Sequence, residues 1–226
     1  MGFRRQSGLT LIEIVVVLGI VGVLMLLAGP VMTRWQDDQR AKSAARSAAD
    51  LLLLARSEAI RTGNQYVVFF GPPGNTDPAG TDIENSEGGY APMLALADGA
   101  VATANCRINA DEDFETIPAA EGVAWGVANA TVRAPNDNGT AAFAPPQSSG
   151  HTFADPGGTA RNWVMFRPDG MPVVFDGAGV NCGAVGVTGT GGGALYITNG
   201  RRDYGIVLSP LGSVRVHAWD GNAWTS

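Results

Sequence analysis

Residues 8–30 read GLTLIEIVVVLGIVGVLMLLAGP, and Glu13 is the one charged residue among them. This run constrains the chain more than any other feature. About 20 consecutive apolar residues suffice for a helix to cross a bilayer, and residues 9–28 supply that length. A carboxylate at such depth costs on the order of a few kcal/mol. A mere anchor is better served by Leu, so Glu13 reads as functional and in want of a cationic partner. Arg4 and Arg5 stand just before the run and favour a cytoplasmic N-terminus.

Two plainer readings fit the same residues. A secretory signal peptide ends its apolar stretch at a small-residue cleavage site, and Ala28-Gly29 has that composition. Such a peptide has no use for Glu13, and helix-forming sequence continues past Pro30. A simple signal anchor gives the same topology, N-terminus inside and large domain outside, and leaves Glu13 unexplained.

The stretch Gly8-Leu9-Thr10-Leu11-Ile12-Glu13 resembles the prepilin motif of type IV pilins and type II secretion pseudopilins. The resemblance implies that prepilin peptidase cuts between Gly8 and Leu9, that Leu9 is then N-methylated, and that Glu13, fifth in the mature chain, serves assembly. One departure is visible: the family usually begins its mature chain with Phe, and here Leu9 stands there.

Past Pro30 the sequence keeps helix-forming composition to about Arg61, without Gly or Pro. Pro30 is expected to kink the helix, because it removes one hydrogen bond and crowds the preceding turn. Trp35, Ala41, Ala45, Ala48, Leu52, Ala55 and Ala59 recur at a spacing of three to four and predict an apolar stripe. The part around Leu51 to Leu54 is expected to pack on a sheet, and Thr62-Gly63-Asn64 to end the helix.

The helix end, Ala55-Arg56-Ser57-Glu58-Ala59-Ile60-Arg61-Thr62-Gly63-Asn64-Gln65, is similar to that of the FimT, FimU and GspH subfamily of minor pilins and pseudopilins. A strand Tyr66 to Phe70 follows, as expected there. Further on, Phe166-Arg167-Pro168-Asp169-Gly170 reads as a tight turn between strands Asn162 to Phe166 and Met171 to Phe175. Ala194 to Thr198, Tyr204 to Ser209 and Ser213 to Ala218 read as a three-strand meander, with turns at Asn199-Gly200 and Pro210-Leu211-Gly212. The resemblance implies an α+β, type IV pilin-like fold: a long N-terminal α-helix packed on a C-terminal antiparallel β-sheet or β-sandwich domain. It divides the chain into a leader (1–8), a transmembrane or filament-core half of the helix (9–29), an amphipathic half (30–62) and a β-rich globular domain (63–226).

The middle, 71–159, is rich in Gly, Pro, Asn, Asp and Ala. Ala91 to Ala97 and Gly122 to Val127 read as strands within it. Asp111, Glu112, Asp113 and Glu115 lack the ligand spacing and glycine of an EF-hand and read as a solvated loop rather than a calcium site. The glycine tract 189–193 reads as a loop: no Lys follows it and no helix opens after it.

Cys106 and Cys182 are the only cysteines. Outside the cytoplasm a pair is expected to bond, and two buried thiols are the alternative. His151 and His217 are the only histidines. With these residues no zinc spacing and no Ser-His-Asp set can be argued, so no metal, cofactor or catalytic residue is expected and the chain is read as a non-enzyme. The net charge is −6, and removal of Arg4 and Arg5 with the leader leaves 13 basic and 21 acidic side chains, or −8. Such a balance disfavours generic nucleic-acid binding.

A DNA-binding minor pilin acting in DNA uptake is the rival reading. FimT relatives carry a GRxR motif near the last strand. Here the stretch is Gly212-Ser213-Val214-Arg215, with Ser213 in place of the first arginine, and Arg201 and Arg202 lie nearby. The leading expectation is a structural subunit that initiates or caps a type IV pilus or a type II secretion pseudopilus. Its partners would be other pilins, prepilin peptidase and the bacterial inner membrane. In the filament Glu13 would pair with the N-terminal ammonium of a neighbouring subunit's Leu9.

Overall fold

A computed structural model describes residues 10–85, 87–99, 104–109, 111–143, 150–178 and 181–225, with backbone alone over 26–31. It forms two compact units, residues 1–39 and 40–226. One helix, α1 (Leu11–Thr62), carries the chain from the first to the second and continues through Pro30. Thr10 starts it: the Thr10 hydroxyl accepts from the Glu13 amide at 3.4 Å, a side-chain cap on the first turn. Gly63 ends it at φ 72°, with its amide donating to Ala59 O at 3.0 Å, the left-handed stop that glycine adopts without a Cβ clash.

Within the second unit, α1 buries Ala41, Ala45, Ala48, Leu52, Ala55 and Ala59. The stripe therefore begins at Ala41. Trp35, expected on it, lies in the first unit and is 59% exposed. Leu51 and Leu52 are buried as expected, whereas Leu53 and Leu54 face outward.

The strands form two antiparallel sheets. The first comprises β1 (Tyr66–Phe70), β2 (Met93–Ala97), β3 (Phe114–Ile117), β5 (Trp163–Phe166) and β6 (Pro172–Val173), in the order β3-β2-β1-β5-β6. The second comprises β4 (Ala124–Trp125), β7 (Gly193–Thr198), β8 (Asp203–Leu208), β9 (Val214–Trp219) and β10 (Trp224–Thr225), in the order β10-β9-β8-β7-β4. Both sheets contribute to one core with the helix stripe: Val67, Phe69, Leu94 and Val164 from the first, Leu195 and Ile206 from the second.

The turn at Arg167–Gly170 closes as expected, Gly170 N donating to Arg167 O at 2.8 Å with Gly170 at φ 74°. The terminal meander has a fourth strand, β10, pairing Trp224 with Trp219. The acidic loop needs correction. Its last carboxylate, Glu115, lies in strand β3, paired to β2 opposite Ala95. Phe114-Glu115-Thr116-Ile117 does not alternate with the period of two that marks a half-buried strand, so no strand signal stands in the sequence there.

The middle segment is tied down by carboxylates that capture backbone amides. Asp77 accepts from Ala79, Thr81 and Ile108, each at 2.8 Å. Buried Asp203 accepts from Ala128, Asn129 and Ala130 at 3.0, 2.7 and 2.6 Å. Asp137 accepts from Tyr196 Oη at 2.8 Å and from Thr152 Oγ1 at 2.6 Å. The Asp203 and Asp137 bonds hold 126–143 over a face of the second sheet, where Val127, Ala130, Ala134, Tyr196, Val207 and Trp219 make a second, smaller core.

Candidate functional site

The first unit presents the chemistry that matters most. From Leu11 to Met25 every side chain is exposed in the isolated chain, Leu11 at 81% and Met25 at 70%. A helix apolar on all sides is one whose surroundings are apolar too. Glu13 is the only charge in this stretch. It lies in the first turn of α1, where the unpaired amides and the helix dipole favour an anion. Its amide also donates to Thr10 O at 3.1 Å. Thr10 and Glu13 have the spacing of a capping box, a signal in the sequence that explains why a carboxylate is tolerated at this end of the helix. Gly8 and Leu9 lie outside the described residues.

Among the described residues no helix is long and apolar enough to cross a membrane. The described apolar side chains run from 11 to 25, short of the roughly 20 residues a bilayer asks for. The rest of the expected 9–29 span falls outside them.

Cys106 and Cys182 are bonded to each other, with Cα atoms 5.0 Å apart. The Asp98 carboxylate lies within 4.8 Å of both sulfurs. A bonded pair offers no thiolate, and the Asp98 oxygens already accept from Asn105 N at 3.1 Å and Cys106 N at 2.8 Å, so the three are a closed structural group rather than a metal site. Burial pushes the Asp98 carboxyl up to about 6, against the pull of those two amides. His151 packs edge-on against Phe70 at 5.4 Å, and burial brings it down to about 4. His217 is buried on β9; burial lowers it first, and the neighbouring Arg215 charge second. Both are histidines of the packed interior.

The three arginines singled out for DNA are exposed, Arg201 and Arg202 at the β7–β8 turn and Arg215 on β9. Arg215 is opposite Val207, five residues along from Arg202, or about 17 Å at strand rise. The turn arginines share their recess with Asn129, Trp219 and Asp220. The register therefore sets Arg215 apart from the other two.

A junction not visible from any one stretch of sequence lies at the helix end. Arg56 Nε donates to Gly170 O at 3.1 Å. A methyl added at Gly212 would lie 2.7 Å from Arg56 Nε and 2.8 Å from Gly170 O. The helix end, the Arg167–Gly170 turn and the Pro210–Gly212 turn, three separate stretches that carried the resemblance, thus meet around one guanidinium.

Residues 3–29 match the family model of the prokaryotic N-terminal methylation motif, the type IV pilin-like prepilin signal. No curated protein and no solved structure matches the chain.

Proposed function

We propose that this chain is a minor pilin or pseudopilin of the FimT, FimU and GspH kind, a filament subunit rather than an enzyme. The observation that carries the reading is the methylation motif at 3–29, together with a helix start that is apolar on every side except for Glu13. In this reading the leader 1–8 is removed between Gly8 and Leu9, and Leu9 is N-methylated. Residues 9–29 hold the subunit in the bacterial inner membrane with its N-terminus cytoplasmic, and later enter the filament core. Residues 30–62 are the amphipathic half of the helix, and 63–226 form the domain on the far side of the membrane.

Glu13 supplies register in this reading. Away from water an unpaired carboxylate is penalised heavily, and a positioned ammonium relieves that penalty. The methylated Leu9 amine of a neighbouring subunit is the partner of matching chemistry. Helical arrays arise when each subunit repeats one head-to-tail contact without closing a ring, and a pairing of this kind is such a contact.

Mass spectrometry of the protein recovered from its native membrane tests the reading. A mature chain beginning at methylated Leu9 is expected. An intact Met1, or a new end after Gly29, would overturn it. Glu13→Leu is expected to leave the β-rich domain folded and the anchor intact, while depleting the subunit from sheared fibres. Undiminished incorporation would remove the ion-pair role.

A further inference from the structure

An apolar cleft of about 440 Å³ opens beside the helix in the second unit. Ala44 and Ala48 of α1, Met93 of β2 and Ile197 of β7 line it. Residues 118–123 cross beside it as a strap, carrying the chain from β3 at the edge of the first sheet to β4 at the edge of the second. Pro118, Ala120 and Val123 of the strap face the cleft.

The wall offers almost nothing for a polar ligand to bond. It contains no charged residue, and four of its residues are prolines, which have no amide hydrogen. The two polar side chains present, Tyr90 and Trp125, are turned on each other. Trp125 Nε1 donates to Tyr90 Oη at 3.0 Å, and Tyr90 Oη donates to Gly71 O. The volume falls in the range of ligand pockets, roughly 300–1,000 Å³.

The rim differs in character. Arg40 stands one helical turn before Ala44, on the same face of α1. Arg40 pairs with Glu121 of the strap at 3.6 Å, the two side chains being 45% and 86% exposed. Exposed pairs of this kind contribute little, so another anion can take the place of Glu121. A guanidinium that can be released at the edge of an apolar cavity is complementary to an amphiphile with a negative head.

We propose that the cleft takes one acyl chain of an anionic membrane phospholipid, with the head-group phosphate on Arg40 in exchange for Glu121. The proposal goes beyond the filament role but rests on the membrane anchor of that reading: loss of label on 11–25 would count against the anchor, loss on the cleft alone against the proposal.

The full chain, one copy per lipid nanodisc, is illuminated with a trace of phosphatidylglycerol bearing a diazirine in its acyl chain, and the adducts are mapped. Label is expected on 117–125 and 90–93, in addition to the apolar residues 11–25. Ala48→Phe fills the cleft and is expected to cut the label on 117–125 at least fivefold while leaving that on 11–25 unchanged. Ala120→Phe, on the strap, provides the same block should the helix variant lose its fold, with the Cys106–Cys182 bond as the check on folding. Arg40→Gln is expected to lower labelling several-fold with phosphatidylglycerol and not with a phosphatidylcholine probe.

Label confined to 11–25 would overturn the proposal, as would equal cleft label in both filled variants. Labelling by a photoactive fatty acid but not by phosphatidylglycerol would overturn the phospholipid. Equal response of the two lipid probes to Arg40→Gln would remove the head-group contact.

Discussion

Asp203 has no exposed surface, yet a carboxylate there is tolerated because three amides point at it. Charge buried with its hydrogen bonds complete is stable, and charge or donors left unpaired are costly. Asp203→Ala strands the buried Ala130 amide and loosens those of Ala128 and Asn129. The expected loss is about 2–4 kcal/mol in urea unfolding, with faster amide exchange confined first to 126–134. Glycines give a finer test. Gly170 and Gly212 both have positive φ, 74° and 80°, so either alanine replacement strains the backbone by about 1 kcal/mol. At Gly170 the new methyl would meet Ile60 Cδ1 at 2.6 Å, the movable end of an exposed side chain. At Gly212 it would meet the Gly170 carbonyl at 2.8 Å, which cannot swing away. Gly212→Ala is therefore expected to destabilise clearly more than Gly170→Ala, measured as the difference in denaturant midpoint. Both glycines were legible as turn residues from Pro168-Asp169-Gly170 and Pro210-Leu211-Gly212. That they close on the same arginine was not, because 114 residues separate Arg56 from Gly170.

At the scale of elements, strong local signals gave correct strands and weak ones did not. Tyr66–Phe70 is a run of aromatic and β-branched residues and forms β1 over those residues. The strands β7, β8 and β9 fall within a residue of the positions read from the turns between them. Strand β3 was missed because its two partly buried apolar residues, Phe114 and Ile117, stand three apart and break the alternation, beside an acidic run. The packed stripe of α1 was legible in its alanines, but its upper limit was not, since periodicity alone does not say where a sheet begins to cover a helix. Of the candidate site, Glu13 was legible from its isolation in an apolar run. The Asp98 cage beside the disulfide was not, because it closes on the amides of Asn105 and Cys106, seven and eight residues on, in a loop with no motif to announce it. Loss of the disulfide itself, as Cys106→Ala with Cys182→Ala, is expected to lower stability by roughly 4 kcal/mol at most, from loop entropy.

The whole domain holds two buried groups that titrate against each other. Asp98 is raised from 3.8 to about 6, so its contribution is complete below 3.8 and is lost as pH rises through 6. His151 is lowered from 6.5 to about 4, so its contribution is complete above 6.5 and is lost as pH falls through 4. Each is worth about 3 kcal/mol across its window, and the windows nearly coincide. The native chain is expected to change little in stability between pH 4 and 6.5 on their account. Asp98→Asn removes one arm and should make the protein more acid-labile than the native chain. His151→Phe keeps a ring against Phe70 and should make it gain stability toward acid. Urea titrations of the three proteins at pH 4.5 and 7 measure both slopes, and parallel profiles would show the two groups do not compensate.

The helix stripe that begins at Ala41 has a consequence in time as well as in space. Ala45, Leu52 and Ala59 are made early, while the β8 residues of the same core, Ile206 and Leu208, are among the last. Contacts this distant along a chain form slowly, after the loops between them have closed. Until residue 208 emerges, that apolar face has no complete cover, and the partial domain is open to proteases and to mispairing. A ribosome stalled before β8 would hold a substrate for quality control rather than a smaller version of the folded domain.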